Sequence, residues 1–228
     1  MKQIALDMGL ASVPSFENFF AGPNEAALRH LEVWAAGAVR SPVPVYLWGE
    51  PGSGKTHLLK AVGETLRSRG ARFGWMDASL SEPQAFDDEW TAVILDECHL
   101  YTAAQQQSAF NWFVNAISGG DGQPRCVLAA GALPPADLAL REDLRTRLGW
   151  GHVFELRALS EPERRAVLRL EADARGIFLG DEAIDFMLTR FSRDLSSLMQ
   201  LLDQLDSYAL RTQRAITVPL IRSMLENE

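Results

Sequence analysis

The stretch Gly49-Glu50-Pro51-Gly52-Ser53-Gly54-Lys55-Thr56 matches the phosphate-loop pattern G-x-x-x-x-G-K-[ST] at every fixed position. An apolar run precedes it at 43–48 and a helix-forming run follows at 57–62, so the sequence predicts a buried strand, a tight loop and a helix. In such a loop, backbone N–H groups and the positive end of the helix dipole surround a phosphate chain. A glycine-rich turn without a ligand is the alternative, and the strand and helix on either side count against it.

Two side chains of this loop have specific expected roles. We expect Lys55 to reach the β and γ phosphates of a bound nucleotide and the Thr56 hydroxyl to hold Mg2+. The residues expected to bind the nucleotide are Gly49, Pro51, Gly52, Ser53, Gly54, Lys55 and Thr56.

A second element of a nucleotide site follows at 92–97. An apolar run there ends in Asp96 and Glu97, which predicts a buried parallel strand with two carboxylates at its carboxyl end, where α/β sheets bind ligands. Asp96 suits a direct or water-mediated contact with Mg2+, and Glu97 suits the base that orients an attacking water. A solvated strand end would explain an isolated Asp-Glu pair, but beside a phosphate loop the pair indicates nucleotide binding.

The composition indicates a folded α/β domain with a smaller appendage, because 47% of the 228 residues are hydrophobic. A formal net charge of −8 opposes attraction to a phosphate backbone, so DNA contact is expected to be indirect or weak. No run approaches the roughly 18 apolar residues of a membrane span and the N-terminus lacks a signal peptide's apolar core, so we expect no membrane contact and a cytoplasmic location. Cys98 and Cys126 lack metal-ligand spacing and are expected to be buried thiols.

The predicted elements alternate as in a parallel sheet with crossover helices. Asn24 is expected to cap a first helix that runs to about residue 38. The predicted strands lie at 43–48, at 72–76, before Asp96, at 126–130 and at 153–156, with a helix at 103–117.

From residue 160 onward the pattern indicates helices only. Ser160 and Glu163 fit a capping box, Asp181 is expected to cap a second helix, and two further helices follow. The predicted domains are a flexible tail at 1–12, an α/β core at 13–158 and an all-helical lid at 159–228.

This layout is that of an AAA+ module, and smaller features resemble its DnaA-like branch. Residues 16–24 resemble the F-x-N-F-x-x-G-x-N stretch that precedes the first helix in DnaA relatives, and residues 144–151 resemble the segment that carries their arginine finger. Residues 201–206 lie in a lid helix that is similar to that of the Hda family. The resemblance to Hda covers almost the whole chain.

The resemblance implies roles for three residues outside the phosphate loop. Phe16 would line the adenine pocket, and Arg147 would act in trans on the γ-phosphoryl group of ATP bound to DnaA. Arg193 would sense the phosphates in the chain's own site. A surface arginine is the alternative for Arg147, and a local salt bridge is the alternative for Arg193.

Residues 3–8 resemble the short Gln-Leu-x-Leu motif by which Hda proteins bind the DNA polymerase sliding clamp, its β subunit. Gln3 would form a hydrogen bond at the rim of an apolar pocket that Ile4, Leu6 and Met8 fill. The sequence departs from the motif, since Ile4 stands where leucine is usual. A disordered terminus without a partner is the alternative.

Another departure lies at the end of the strand at 126–130, where AAA+ proteins usually offer a polar side chain to the attacking water or the γ-phosphate. This sequence offers Ala130 and Ala132. The substitution predicts weak intrinsic hydrolysis, and with it a preference for ADP over ATP.

The resemblance therefore implies a regulator that inactivates the replication initiator DnaA. It would bind ADP or ATP with Mg2+ and dock on the sliding clamp. By supplying Arg147 to DnaA it would prevent over-initiation of DNA replication. The resemblance also implies a possible homodimer. A self-sufficient ATPase such as a replicative helicase loader is the alternative function. An adaptor that has lost nucleotide binding is a third hypothesis, which the intact Lys55 and Thr56 disfavour.

Overall fold

The computed structural model describes residues 13–37, 41–119, 125–191 and 194–226. The described residues form two compact units, one of Val13–Ala158 and one that begins at Leu159. Five residues with predicted roles lie outside the described part of the chain: Gln3, Ile4, Leu6, Met8 and Arg193.

A five-stranded parallel sheet forms the centre of the first unit. Its strands are β1 Val45–Trp48, β2 Arg72–Met76, β3 Trp90–Leu95, β4 Cys126–Gly131 and β5 His152–Glu155. Their order is β2-β3-β4-β1-β5, so β4 lies between the strand that leads into the phosphate loop and the strand that precedes Asp96. The carboxyl ends of these three strands therefore lie side by side at one edge of the sheet.

Helices cover both faces of this sheet, which confirms the predicted α/β class. They are α1 Glu25–Ala36, α2 Lys55–Ser68, α3 Ala103–Ser118 and α4 Glu142–Leu148. Because strand side chains alternate between faces, Val45 and Leu47 pack with α1 and α2, whereas Tyr46 packs with α3 and α4. Strand β1 begins at Val45, later than predicted, and the residue before it, Pro44, has no N–H to donate.

Asn24 holds the N-cap position of α1, as predicted, but the expected capping bond is absent. Asn24 ends a short 3-10 turn, Gly22–Asn24, and its side chain makes no capping bond to α1. Instead its amide nitrogen donates to the carbonyl oxygen of Arg157 at 2.9 Å, and its amide oxygen accepts from the Arg157 N–H at 2.8 Å. Asn24 is 4% exposed, so its buried amide finds its hydrogen-bond partners in the backbone just beyond β5.

The described residues of the second unit form helices and the turns between them, as predicted. The helices are α5 Glu161–Ala174, α6 Asp181–Arg190, α7 Leu195–Thr212 and α8 Val218–Glu226. Their apolar faces share one core that includes Leu168, Ile184, Leu201 and Ile221. Among the helices that the structure describes, none is long and apolar enough to cross a membrane.

A local polar contact sets the start of α5, whereas α6 starts without the predicted one. The Glu163 carboxylate accepts from the Ser160 backbone N–H at 2.7 Å and from its hydroxyl at 2.6 Å, as predicted, and these bonds lower the pKa of Glu163. The predicted cap at Asp181 is wrong. Gly180 holds the cap position, and the Asp181 carboxylate pairs with Arg169 on α5.

Candidate functional site

The loop between β1 and α2 is shaped by two glycines that no other residue could replace without movement. Gly49 has φ +151°, and a Cβ there would lie 2.0 Å from the carbonyl oxygen of Leu156. Gly54 has φ +95°, and a Cβ there would lie 2.5 Å from the Phe19 ring. The predicted phosphate loop therefore has the sharp, crowded backbone that its glycines imply.

The Lys55 ammonium group lies inside this loop. It donates to the carbonyl oxygens of Gly49 at 2.7 Å and Glu50 at 2.8 Å, and to the Ser53 hydroxyl at 3.2 Å. Burial lowers the pKa of Lys55, while the charges of nearby carboxylates act in the opposite direction. A partly buried cation at the N-terminus of α2 is an arrangement suited to binding a phosphate group.

Thr56 and Asp96 are brought together as the sequence predicted. The Thr56 hydroxyl donates to Asp96 Oδ2 at 2.6 Å, and Asp96 Oδ1 accepts from the Glu97 N–H at 2.8 Å. Asp96 is buried. A hydroxyl and a carboxylate side by side supply the oxygen ligands that Mg2+ prefers, so these residues fit that ion.

Glu97 has an unusual backbone for a residue with a side chain. Its φ of +53° and ψ of +36° lie in the left-handed region, and such a conformation costs about 1–3 kcal/mol. Its carbonyl oxygen accepts from the Leu100 N–H at 2.8 Å, and its own N–H is bound by Asp96. This turn places an exposed carboxylate directly beyond the buried one.

The end of β4, between the loop and Asp96, carries no polar side chain. Ala130 is fully buried and Ala132 is half-buried. A Cβ at Gly131 would lie 2.1 Å from the hydroxyl of Tyr46, which donates to the Leu133 carbonyl oxygen at 2.9 Å. This part of the site is therefore apolar and closely packed.

The segment before α1 lies against the phosphate loop. Phe16 is half-buried and packs against the α1 and α2 core. Phe19 packs on Gly54 and on the His57 ring, whose centroid is 5.5 Å away. His57 Nε2 forms a hydrogen bond with the Ser15 carbonyl oxygen at 2.9 Å, and burial lowers its pKa.

No separate role is predicted for Phe19 within the F-x-N-F stretch, and His57 is predicted to pack or to form hydrogen bonds rather than to act in catalysis. Both residues stand in or beside a recognised motif, because Phe19 belongs to the F-x-N-F stretch and His57 follows the phosphate loop directly. Their contact requires the chain before α1 to fold back onto α2, and no local pattern encodes that.

Arg147 lies on the last turn of α4, in contact with two aromatic rings. Its guanidinium carbon is 4.8 Å from the centroid of Phe110 on α3 and 5.1 Å from that of Trp150. Its Nη1 donates to the Asp143 carbonyl oxygen at 2.9 Å. Within the described part of the chain, no carboxylate forms an ion pair with Arg147, so its charge is available to an external anion.

Comparisons with known proteins agree with this architecture. Residues 161–225 match the family model described as "Hda, lid domain", and residues 10–79 match "Bacterial DnaA ATPAse domain". An "Uncharacterized protein" of Haemophilus influenzae is 32% identical over 98% of this chain and 98% of its own length. The chain belongs to the Hda family of DnaA-related AAA+ proteins.

Solved structures place this Hda-family chain within the AAA+ fold. Domain III of the Thermotoga maritima initiation protein DnaA is similar with a TM-score of 0.73 and 20% identity, covering 96% of this chain and 98% of that one. AMPPCP-bound DnaA from Aquifex aeolicus has a TM-score of 0.65 and 20% identity, covering 87% of this chain and 66% of that one. These likenesses confirm the predicted AAA+ core with a helical lid.

Proposed function

We propose that this chain binds an adenine nucleotide at its phosphate loop and stimulates hydrolysis of ATP held by DnaA. Arg147 would act in trans as the arginine finger, and the chain would be docked on the sliding clamp through its N-terminus. The observation that carries the proposal is that Arg147, half-buried against two rings in a chain with an Hda lid, forms no ion pair with a carboxylate among the residues that the structure describes. The outcome would be inactivation of DnaA and fewer initiations of replication.

Nucleotide binding is supported by the loop itself. Lys55 would exchange its loop oxygens for phosphate oxygens, and the loop amides would bind the same group. Thr56 and Asp96 would hold Mg2+, which when bound neutralises phosphate charge. The AMPPCP in the Aquifex aeolicus DnaA structure supports an adenine nucleotide, ADP or ATP, as the ligand, and Phe16 would contact its base.

The apolar end of β4 favours a regulator over a self-sufficient enzyme. Glu97 could orient a water, but Ala130 and Ala132 offer that water no hydrogen bond. We therefore infer weak intrinsic hydrolysis. The chain's contribution to catalysis would be Arg147, because a planar cation stabilises charge that develops on a transferring phosphoryl group.

Other parts of the proposal rest on sequence resemblance alone. Gln3, Ile4, Leu6 and Met8 would bind the clamp, and Arg193 would contact the phosphates of the chain's own nucleotide. The tail at 1–12, the core at 13–158 and the lid at 159–228 would act as separate parts of a cytoplasmic protein that can form a homodimer.

The decisive test follows labelled ATP prebound to DnaA in the presence of DNA-loaded clamp. Adding the intact chain should accelerate conversion to ADP, and Arg147→Ala should abolish the acceleration. Arg145→Ala is the matched control, because it removes the same charge from the same helix and should retain the acceleration. If the intact chain has no effect on the hydrolysis rate, the proposal is wrong.

The helicase-loader alternative is favoured by one observation, the intact Thr56, Asp96 and Glu97 arrangement. A loader would hydrolyse its own ATP, and single-stranded DNA would stimulate that turnover. The same assay without DnaA measures this directly. Fast turnover that Glu97→Gln abolishes would establish the alternative, whereas turnover below that of stimulated DnaA would support the regulator.

A further inference from the structure

Arg147 and its neighbour Arg141 differ in whether a carboxylate pairs with them. The Arg147 cluster consists of Phe110, Arg141, Asp143, Arg147 and Trp150. Arg141 occupies both oxygens of the Asp143 carboxylate, through Nε to Oδ1 at 2.7 Å and Nη2 to Oδ2 at 2.7 Å. These bonds are the main reason why the pKa of Asp143 is lowered. Arg141 is thus neutralised by a bidentate ion pair, whereas Arg147 is not.

The spacing of residues along α4 would also allow Asp143 to pair with Arg147. Asp143 and Arg147 are four residues apart, the separation at which a carboxylate and a guanidinium on one helix form an ion pair. In the structure Arg147 instead bonds the Asp143 carbonyl oxygen, while the carboxylate faces Arg141. Arg141 therefore competes for the one carboxylate that lies within a helical turn before Arg147.

Two aromatic rings fix the direction of the guanidinium. Phe110 contacts both arginines, with the Arg141 carbon 4.9 Å and the Arg147 carbon 4.8 Å from its centroid. Trp150 adds a second ring beside Arg147 and is itself 58% exposed. With one N–H used on the Asp143 carbonyl, a guanidinium has four N–H groups left to bind a partner's phosphate.

We propose that Phe110, Trp150 and the Arg141–Asp143 ion pair are positioning residues, which keep Arg147 unpaired and pre-oriented for the phosphates of a nucleotide bound by a partner subunit. The inference rests on the proposed function, since it concerns the same arginine. Pre-orientation reduces the side-chain entropy that Arg147 loses on engagement, and an unpaired charge needs no ion pair to be broken first.

The aromatic part is tested by comparing ring-retaining with ring-removing variants in the DnaA hydrolysis assay with DNA-loaded clamp. Phe110→Leu and Trp150→Leu should each lower the maximal stimulated rate about 2- to 5-fold, and roughly 5- to 25-fold together, as expected for one and two cation–π contacts. Phe110→Tyr and Trp150→Phe keep a ring and should restore most of the rate. The concentration of the chain that gives half-maximal stimulation should change less than the maximal rate does.

The charge part is tested without altering either ring. Arg141→Ala frees the Asp143 carboxylate to pair with Arg147, so the maximal rate should fall about twofold. Adding Asp143→Asn in the double variant removes the competing charge and should restore the rate. A purely structural role for the ion pair predicts the reverse, because the double variant lacks both partners.

The outcomes separate this inference from the proposed function. If Arg147→Ala leaves stimulation intact, both are wrong. If Arg147→Ala abolishes stimulation but Phe110→Leu and Arg141→Ala match the intact chain, the finger stands and the positioning inference is overturned. A change in half-maximal concentration alone would make Trp150 a docking contact and would also overturn it. Should Phe110→Leu unfold, Arg141→Ala and its double variant still decide the question.

Discussion

Replacing Gly54 by alanine would test whether the phosphate loop depends on the segment that packs against it. Two penalties combine at this position. The residue has φ +95°, and its added Cβ would lie 2.5 Å from Phe19 Cε2. The cost of the positive φ belongs to the backbone alone, whereas the cost of the clash depends on the position of the Phe19 ring.

Gly70, at the other end of α2, is the matched control. It has φ +72°, and a Cβ there would meet nothing within 4 Å, so Gly70→Ala should cost only the left-handed backbone penalty of about 1–2 kcal/mol. Gly54→Ala adds overpacking worth about 1–3 kcal/mol. The difference should lower the melting temperature by roughly 2–12 °C more for Gly54→Ala than for Gly70→Ala.

Fluorescent ADP titration and thermal unfolding measure both consequences. Gly70→Ala should leave the dissociation constant for ADP unchanged, whereas Gly54→Ala should raise it at least tenfold, since the loop amides lie beside the displaced ring. Phe19→Ala should relieve the clash, so a double-mutant cycle should give a coupling of about 1–3 kcal/mol. Equal stability of the two glycine variants, or additive effects in the cycle, would refute this reasoning.

Three further predictions concern buried polar groups. Burial lowers the pKa of His57 below 6.5, so at acidic pH the unfolded state binds more protons than the folded state. The free energy of unfolding should therefore fall as the pH is lowered from 7 to 5. In His57→Asn this fall should be less steep. Both cysteines are buried, and burial raises the pKa of Cys98 to about 12. Neither thiol should therefore react with a thiol reagent at pH 8 until the chain is unfolded. Asn24→Ala should lower the unfolding free energy in urea by about 1–3 kcal/mol, because the Arg157 backbone loses both partners.

The fold was predictable from the sequence where a signal is local. A phosphate loop, an apolar run that ends in carboxylates, and a change to helices only after residue 159 each need few residues to be recognised. The two capping bonds that were expected but are absent have a common cause. Asn24 and Asp181 have suitable side chains, but their amide and carboxylate groups bind Arg157 and Arg169, and a pattern along the chain does not reveal those partners.

The site was predictable to the same extent. Thr56 and Asp96 meet because parallel strands deliver their carboxyl ends to one edge, which the order of elements already implies. The contacts of Phe110 with Arg147 depend on how α3 packs against α4, and the contact of Phe19 with Gly54 depends on the chain folding back. Such contacts follow from tertiary packing, which no short sequence window contains.

The two alanines at the end of β4 differ in burial. Replacing each of them with asparagine would test whether the missing polar side chain is the reason for slow ATP hydrolysis. Ala130 is fully buried against the α1 and α2 core, so Ala130→Asn would bury an amide there at a cost of about 1–3 kcal/mol. Ala132 lies just beyond the strand and is half-buried, so the amide of Ala132→Asn would keep access to water at the carboxyl edge of the sheet, where β3 delivers Glu97. We expect Ala132→Asn to raise the chain's own ATP turnover and Ala130→Asn to lower the melting temperature without that gain. If Ala132→Asn leaves turnover unchanged while ATP still binds, the slow step lies elsewhere, and the strained Glu97 backbone becomes the better explanation.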